Sequence, residues 1–346
     1  MASHYGVMSE GETGASSGPA SSAAFGRAGP VLARFARPRC PVPARLAVLG
    51  DPHLSTRRVG SWKLFHRTER RLAAAVEDCN RRGVDAAVFV GDLTENGHPA
   101  DFRRVHELLD RLEAPALAVP GNHDVPAATD SHETPPVGAF ERRFTPRGLP
   151  FHATVGGVDV VGLNTASAPD GRLHHTHDGE VSPAALDRLS DALADAETAL
   201  VVGHHNLSTA RELDVPVGDW RSSFPLRDAD DLLATLREGD APLYCSSHLH
   251  VPAVGRPDGA VRELVVPPLC SFPQGYALVR VGPAGTIVRH VPVADGAGVT
   301  EAYLAALNDK SKSEAVVRST AEQLRRFPLA DERMPAVGAE PTVPTR

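Results

Sequence analysis

Five apolar runs of this chain each end in a small or turn-forming residue, and side chains that can bind metal ions follow at once. The runs are LAVLG, AVFVG, LAVPG, ALVVG and PLYCSS, and after them come Asp51 and His53, Asp92, Asn122 and His123, His204 and His205, and His248 and His250. Carboxylates, imidazoles and an amide without a thiolate suit Mn²⁺, Fe²⁺ or Zn²⁺ better than Ca²⁺ or Cu⁺. The pattern indicates a metal site with nitrogen and oxygen ligands.

The sequence around these residues alternates between short apolar runs and amphipathic segments. It predicts strands that end near Gly50, Gly91, Gly121 and Gly203, and helices between them, such as RTERRLAAAVEDCNRRG. Such an alternation predicts an α/β core, and in open α/β sheets ligands bind beyond the carboxyl ends of the strands. We therefore expect the five sets of polar side chains to converge on one crevice.

Other patterns predict the hairpins and caps that would complete this core. The Gly-Gly pair between FHATV and VDVVGLNT predicts a hairpin. Ser182 is expected to cap a helix over SPAALDRLSDALAD, because a serine hydroxyl can accept a hydrogen bond from the first helical turn. The last third of the chain contains three runs that predict antiparallel strands, AVRELVV, YALVRV and TIVRHVPV.

Composition and pattern divide the chain into four parts. Residues 1–43 are rich in Gly, Ala, Ser and Pro and lack periodicity, so we expect them to be disordered. Residues 44–295 hold the alternating pattern without an internal boundary, and residues 296–330 are predicted to form a helical extension. Residues 331–346 are expected to be a disordered tail.

An apolar face on the helical extension predicts that it docks either on the domain or on a second subunit, which leaves a homodimer open. The residues of this face are Val316, Ala321, Leu324 and Phe327.

The overall composition bears on the class of protein. The 346 residues are 42% hydrophobic with a net charge of -7, which allows a sizeable core and makes a nucleic-acid partner an unfavourable expectation. No apolar run approaches the ~20 residues of a membrane span, and the N-terminus lacks the basic start and apolar stretch of a signal peptide. The four cysteines lie far apart without a C-x-x-C pair, which favours a reducing compartment. We expect a cytoplasmic protein without a membrane partner.

The series D-x-H, G-D, G-N-H-D, G-H-H and H-x-H, each at the end of a predicted strand, resembles that of the calcineurin-like metallophosphoesterase family. The resemblance covers roughly residues 45–293. It implies a four-layer α-β-β-α sandwich with a dinuclear metal centre at the carboxyl ends of the strands. One departure is Ser247, which stands where the family usually has glycine before H-x-H. Serine fits such a loop if its φ is negative.

The resemblance implies seven metal ligands, three for each ion and one that bridges the two. The first ion would be held by Asp51, His53 and His250, and the second by Asn122, His204 and His248, with Asp92 bridging both. The implied cofactors are two metal ions of the kind Mn²⁺, Fe²⁺ or Fe³⁺, or Zn²⁺. His123 would stand beside the ions and assist the leaving group.

Phosphoryl transfer explains why such a set would be useful. Two metal ions ~3.5–4 Å apart can hold a bridging hydroxide and clamp the phosphate oxygens for in-line displacement. Asp92 can bridge because a carboxylate has two oxygens, whereas the amide of Asn122 can ligate through only one. His123 can stabilise or protonate the departing alkoxide. Asp124, the second catalytic candidate, either orients His123 or caps the next segment.

The roles of three further groups are open. His205 follows a ligand directly and either contacts the substrate or a carboxylate near the metal ions, or is structural. The run from His174 to Asp178 is a third metal site, a lid near the substrate or a solvated loop. A third group, which either binds a ligand or packs its own loop, comprises Trp220, Arg221 and Phe224.

The expected activity is hydrolysis of a small phosphoester. The stretches GDLTENGHPADFRRVHELLDRL, VPGNHDVP and VGLNT look most like the bacterial branch of the family that includes 3′,5′-cyclic nucleotide phosphodiesterases, which favours a phosphodiesterase. A phosphomonoesterase of a small metabolite and a non-catalytic scaffold are the alternatives. A nuclease is disfavoured by the acidic balance and by the lack of a basic stretch with interspersed aromatic residues.

Overall fold

The computed structural model contains two β-sheets packed face to face, with helices on both outer sides. It describes residues 29–127, 130, 132–174, 178–215, 226–309 and 313–333. The four-layer α-β-β-α sandwich implied by the sequence resemblance is confirmed. Within the described ranges, no helix is long and apolar enough to span a lipid bilayer.

The first sheet has seven strands in the order β13-β1-β12-β11-β2-β3-β4. They are β1 (Val31–Phe35), β2 (Ala44–Leu49), β3 (Ala86–Val90), β4 (Ala116–Val119), β11 (Gly275–Gly282), β12 (Gly285–Pro292) and β13 (Ala330–Asp331). Strands β2, β3 and β4 are parallel. Strands β11 and β12 are antiparallel to each other, as expected, and β11 lies antiparallel beside β2. The three parallel strands are those that lead to Asp51, Asp92 and Asn122.

The second sheet has six strands in the order β5-β6-β7-β8-β10-β9. They are β5 (Phe151–Val155), β6 (Val158–Gly162), β7 (Ala199–Val202), β8 (Leu243–Ser246), β9 (Ala253–Gly255) and β10 (Arg262–Val265). The β5–β6 hairpin turns at Gly156 and Gly157, as expected, and both have a positive φ, which glycine adopts readily. Strand β10 differs from the prediction, because it runs parallel to β8 and antiparallel only to β9.

Alternation along the strands builds the core between the sheets and the outer layers. In β2, Leu46 and Val48 face the second sheet, whereas Ala47 and Leu49 face the helices. The outer face of the first sheet is covered by α1 (Phe65–Arg82), α2 (Pro99–Leu109) and α3 (Val137–Phe144), and that of the second by α4 (Pro183–Ala194) and α5 (Ala229–Glu238). The Ser182 hydroxyl accepts the Ala185 N–H of α4 at 3.2 Å, which confirms the predicted cap.

Two terminal segments correct the expectation of disorder. Residues 31–35 form β1, whose Leu32 and Phe35 join the core between the sheets, and β13 pairs with β1 in parallel. Disorder through residue 43 and from residue 331 is therefore wrong for residues 29–43 and 331–333. The short run VLARF, flanked by prolines and arginines, is ordered because it pairs with the edge of β12, and composition does not reveal such a partner.

The C-terminal extension consists of two helices, α6 (Gly296–Asn308) and α7 (Ser313–Arg325). Val317 packs with Leu64 and Phe272, and Val316 packs with Leu249 and Val251. The apolar face of the extension was expected to dock either on the domain or on a second subunit, and in the structure it packs on the domain.

Candidate metal centre

The loops that follow β2, β3, β4, β7 and β8 meet at one end of the sandwich and bring the predicted ligands together. Ligand atoms of Asp51, Asp92 and His204 lie within 4.8 Å of one another, and so do those of His53, Asp92 and His123. The expected convergence of the strand ends is confirmed, with Asp92 at its centre.

Three side chains lie on one side of Asp92. His53 Nε2 is 3.3 Å from Asp92 Oδ2 and 3.1 Å from His250 Nε2. His250 Nε2 is in turn 3.7 Å from Asp51 Oδ1. All of these side chains are buried, and they are the three residues that the resemblance assigned to a first metal ion.

The other three predicted ligands meet at His204, which contacts the same carboxylate. His204 Nε2 is 3.0 Å from Asn122 Oδ1 and 3.2 Å from His248 Nδ1. It is also 3.3 Å from Asp92 Oδ2. One oxygen of Asp92 thus contacts a histidine of each group at the same distance.

A metal ion fits the chemistry of these side chains. Asp51 Oδ2 is buried and accepts no hydrogen bond from any described residue, and a buried carboxylate oxygen without a donor calls for a cation. Carboxylates, imidazoles and one amide also form the donor set that borderline divalent ions prefer. The nearby thiol of Cys270, 3.8 Å from His250 Nδ1, is buried, and burial raises its pKa far above the ordinary value.

The imidazoles are oriented by hydrogen bonds on their far nitrogens. His204 Nδ1 donates to the Val90 carbonyl at 2.9 Å, and His250 Nδ1 lies 2.9 Å from the Ser271 hydroxyl. When a proton is held at Nδ1, the lone pair of Nε2 is available to a metal ion. The Val90 carbonyl can only accept, so it leaves Nε2 of His204 available for ligation, and the Ser271 hydroxyl orients the ring of His250.

The backbone of the site is unusual, because five of the seven predicted ligands have a positive φ. They are Asp51, His53, Asp92, His248 and His250, with φ between 44° and 63°. Loop-to-loop hydrogen bonds hold this conformation, such as that from the His53 N–H to the Asp92 carbonyl at 2.9 Å. Non-glycine residues in this region are characteristic of sites where the surrounding structure imposes the conformation.

Two glycines make room for the ligands. Gly91 has a φ of 91°, and a Cβ there would collide with the ring of His204. A Cβ at Gly121 would collide with the Asp92 carboxylate, although the φ of Gly121 is not positive. Gly121 is therefore needed for close approach, and not for a left-handed turn.

Burial and close contacts between charged groups set the electrostatics of the site. Burial raises the pKa of Asp51 to about 7 and lowers that of His53 to about 4. Burial alone would lower the pKa of His204, but the carboxylate of Asp92 outweighs it and raises this pKa to about 9. Burial alone would raise the pKa of Asp92, and the adjacent imidazoles, His204 first, hold it well below its usual range.

The two catalytic candidates have different surroundings. The His123 N–H donates to Asp92 Oδ1 at 2.9 Å, and the ring lies 4.8 Å from that of His53, so His123 stands beside the ligands. The carboxylate of Asp124 instead accepts the backbone N–H groups of Leu93, Thr94 and Gly121 at 2.9–3.1 Å. Of the two roles considered for Asp124, these contacts favour the structural one, because they tie the loop after β3 to the loop after β4. A carboxylate with several backbone donors nearby is more useful as a loop anchor than as an orienter of His123.

His205 is fully buried behind a ligand. Its Nδ1 lies 3.1 Å from the Thr165 hydroxyl, and its ring centre lies 4.6 Å from that of His248. These contacts favour the structural role among those considered, because the ring packs between a ligand and the end of β6.

The other open groups lie partly outside the described residues. His174 is exposed and contacts Asp170 at 2.8 Å, and Asp178 lies 3.5 Å from Arg227. Residues 175–177, and Trp220, Arg221 and Phe224, lie outside the described residues.

Two residues at the site were missed by the sequence analysis. Glu95 is buried, with Oε2 3.0 Å from His53 Nδ1, and its carbonyl accepts the Nδ1–H of His123 at 2.6 Å. Lys63 places its ammonium group 3.1 Å from Glu95 Oε2. The acidic residue three positions after Asp92 in the loop GDLTENG is a weak signal, which does not by itself reveal the contact of Glu95 with His53. For Lys63, the one hint was the scarcity of lysine, of which the chain has three.

Known proteins share both the sequence pattern and the fold. A cAMP/cGMP dual specificity phosphodiesterase of Mycobacterium tuberculosis is 29% identical over 190 residues, or 52% of this chain and 54% of the relative. A Rhodococcus erythropolis protein named "Probable cyclic nucleotide phosphodiesterase" is 27% identical over 173 residues, or 48% of this chain and 51% of the relative. The chain thus spans about half the length of these curated relatives, and both are bacterial, as the resemblance implied.

Solved structures share the fold at low sequence identity. A dimetal phosphatase from Danio rerio superposes with a TM-score of 0.53 and 13% identity, covering 74% of this chain and 98% of its own. Purple acid phosphatase PPD1 from yellow lupin gives a TM-score of 0.52 and 12% identity, covering 75% and 53%. The family model for calcineurin-like phosphoesterases matches residues 44–252, more than half of the 346 residues. The chain belongs to the calcineurin-like phosphoesterase family.

Proposed function

We propose that this chain is a metal-dependent phosphoester hydrolase whose two divalent ions are held by the residues that flank Asp92. The observation that carries the proposal is the position of Asp92 Oδ2, which lies 3.3 Å from His53 Nε2 and 3.3 Å from His204 Nε2. A carboxylate between two sets of nitrogen and oxygen donors is the arrangement that a two-metal centre requires.

The proposed ligands form two groups of three around one shared residue. The first group is Asp51, His53 and His250, the second is Asn122, His204 and His248, and the shared residue is Asp92. Bound ions of this kind act as Lewis acids on phosphate oxygens and lower the pKa of water. Mn²⁺, Fe²⁺ and Zn²⁺ suit these donors.

His123 is the residue that we propose for proton transfer to the leaving group. Its Nδ1–H is committed to the Glu95 carbonyl at 2.6 Å, so Nε2 is the atom that holds or moves a proton. Its backbone N–H binds Asp92 Oδ1, which fixes the ring beside the shared ligand. The side chain is half-buried, whereas His53 and His204 are fully buried, so His123 is open to a substrate.

For the substrate, we propose a small phosphodiester, with 3′,5′-cyclic nucleotides as the first candidates. Two bacterial relatives are named as enzymes of this class, and the stretches GDLTENGHP and VPGNHDVP resemble the same branch. A phosphomonoester of a small metabolite is the alternative.

The test is a paired assay on metal-reconstituted protein with bis-p-nitrophenyl phosphate and p-nitrophenyl phosphate. We expect faster turnover of the diester, and a loss of at least ~100-fold in Asp92→Ala, because the shared ligand is removed. In His123→Ala, turnover should fall by roughly 10²–10⁴-fold, the usual contribution of general acid catalysis, while bound metal is retained.

The other outcomes separate the alternatives. A preference for the monoester would replace the phosphodiesterase proposal with a phosphatase that uses the same centre. Two bound metal ions without turnover of either compound, or of 3′,5′-cyclic AMP and GMP, would favour the scaffold.

A further inference from the structure

Glu95 is a buried acid that contacts both a proposed metal ligand, His53, and the proposed proton donor, His123. It is not itself one of the predicted ligands. Its side chain reaches His53 Nδ1 at 3.0 Å, and its main-chain carbonyl accepts the Nδ1–H of His123 at 2.6 Å. Arg58 and Lys63 contact the two oxygens of the same carboxylate at 2.6 and 3.1 Å. Two cations therefore offset the cost of burying this acid.

The surroundings of His53 present a choice between two tautomers. Ligation through Nε2 requires the ring proton on Nδ1, and a carboxylate favours this state because it can only accept. Lys63 Nζ, 3.3 Å from the same Nδ1, can only donate, and so favours the opposite tautomer, which carries its proton on Nε2. Glu95 is the closer of the two, and it also engages the ammonium group of Lys63.

We propose that Glu95 is a positioning residue of the first metal site: it outcompetes Lys63 for His53 Nδ1 and so keeps His53 in the tautomer whose Nε2 can ligate. The inference rests on the proposed ligand assignment and extends it to a residue that binds no metal itself. Because Glu95 contacts both rings, it also links the orientation of His53 to that of His123.

The test compares Mn²⁺ binding to the metal-free wild type and to Glu95→Gln, followed by the electron paramagnetic resonance signal of free Mn²⁺. The glutamine keeps the size of the side chain but can donate to Nδ1 through its amide. We expect the affinity for one of two equivalents to fall by about 10–100-fold, as is typical when an outer-shell partner is lost. The affinity for the other equivalent should be unchanged.

A second variant separates tautomer control from a merely structural role. In Glu95→Gln/Lys63→Met, the ammonium group no longer competes for Nδ1 and the glutamine amide is the one remaining donor, so part of the lost affinity should return. Lys63→Met alone measures the gain in affinity that comes from removing a positive charge. If Glu95 served only to pack, Lys63→Met would raise the affinity by the same factor with and without Glu95, which would overturn the proposal. Should Glu95→Gln not fold, Glu95→Asp replaces it, with and without Lys63→Met, and the same recovery is required.

Asp159→Asn is the matched control. Asp159 is a buried carboxylate of the second sheet that also contacts a histidine, His152, at 3.0 Å, but this histidine is not a proposed ligand. Its Mn²⁺ affinity should equal that of the wild type, and an equal loss in Asp159→Asn and Glu95→Gln would overturn the proposal. Failure of the ligand assignment would look different, because His53→Ala would then bind Mn²⁺ as the wild type does.

Discussion

At the scale of single residues, the candidate site is built against the preference of the local backbone. A positive φ costs a non-glycine residue on the order of 1–2 kcal/mol, and five predicted ligands adopt it. Glycine would remove this strain but also the ligand, so we infer that the strain is accepted for the sake of the side chain. His248 illustrates this: its φ is 63° and its Nδ1 lies 3.2 Å from His204.

Ser247 shows that the chain departs from the family pattern without disturbing a ligand. The φ of Ser247 is not positive, which is the condition under which serine was expected to fit. Its hydroxyl donates to the Val90 carbonyl at 2.7 Å and lies 3.1 Å from His204 Nδ1. The Val90 carbonyl thus accepts hydrogen bonds from both His204 Nδ1, which orients the ring, and the Ser247 hydroxyl.

We expect Ser247→Gly to lower the free energy of unfolding of the metal-free protein by about 1–2 kcal/mol, through a lost buried hydrogen bond and added backbone freedom. Metal affinity should be retained, because His204 Nδ1 keeps the Val90 carbonyl at 2.9 Å. Urea unfolding and a Mn²⁺ titration measure the two effects. If the free energy of Mn²⁺ binding fell by as much as the free energy of unfolding, the Ser247 hydroxyl would be needed to orient His204.

The clustering of the proposed ligands could be predicted from the sequence because each follows an apolar strand in a short motif. The positions of Glu95 and Lys63 at the site could not be predicted, because they depend on a contact between the loop after β3 and the turn before α1. The role of Asp124 was also undecided, since a motif does not show which backbone donors surround a carboxylate.

At the scale of elements, Asp124 joins the loop after β3 to the loop after β4. It accepts hydrogen bonds from Leu93 and Thr94 in one loop and from Gly121 in the other. The first loop carries Asp92 and the second carries Asn122, so the shared ligand and a ligand of the second group are held in register by one carboxylate.

We expect Asp124→Asn to lower the free energy of unfolding by roughly 2–4 kcal/mol, because an amide nitrogen replaces one acceptor and leaves backbone donors without a partner. Metal affinity should fall as well, since the two loops lose their common anchor. Thermal unfolding and Mn²⁺ binding are the measurements, with Asp159→Asn again as the control. That control likewise replaces an acceptor for a backbone donor and a side-chain donor, the Thr198 N–H and the Thr154 hydroxyl, and should lose stability alone. Unchanged metal binding in Asp124→Asn would contradict the anchor role.

Elements with strong local patterns were predictable, and elements defined by their partners were not. The strands β2, β3 and β4 and the cap of α4 follow from apolar runs and from Ser182. Strand β1 is five residues long in a segment rich in proline and arginine, and β13 has two residues. Strand β1 pairs with β12 on one edge and with β13 on the other, and the partners of both pairings lie far apart in the chain, such as Ala33 and Ala330.

At the scale of the whole molecule, the candidate centre depends on three parts of the structure: the two sheets and the C-terminal helices. The first sheet supplies Asp51, Asp92 and Asn122, and the second supplies His204 and His248. The C-terminal helices are the third part. They supply no proposed ligand, but α7 packs behind the H-x-H loop. Leu249, between the two histidines of that loop, lies in one apolar cluster with Val316 of α7. The family match ends at residue 252, so this support comes from outside the matched region.

Contacts of α7 with the H-x-H loop are polar as well as apolar. The Thr320 hydroxyl donates to the His250 carbonyl at 3.4 Å, and Trp62, which packs against the cluster of Val316, lies 4.9 Å from the His250 ring. His250 is thus held on its backbone and on its ring by contacts that depend on α7. A loosening of this helix should reach the first metal site.

We therefore expect Val316→Ala to reduce both the free energy of unfolding and the affinity of the first metal site. Truncation of a buried valine removes two methyl groups, worth about 1–3 kcal/mol including the cavity that remains. Val158→Ala, in the core between the sheets at the start of β6, makes the same truncation far along the strand from the ligands, and should cost stability alone. Urea unfolding and Mn²⁺ titration of the two variants decide the matter. Equal metal affinities would show that α7 stabilises the fold without positioning His250.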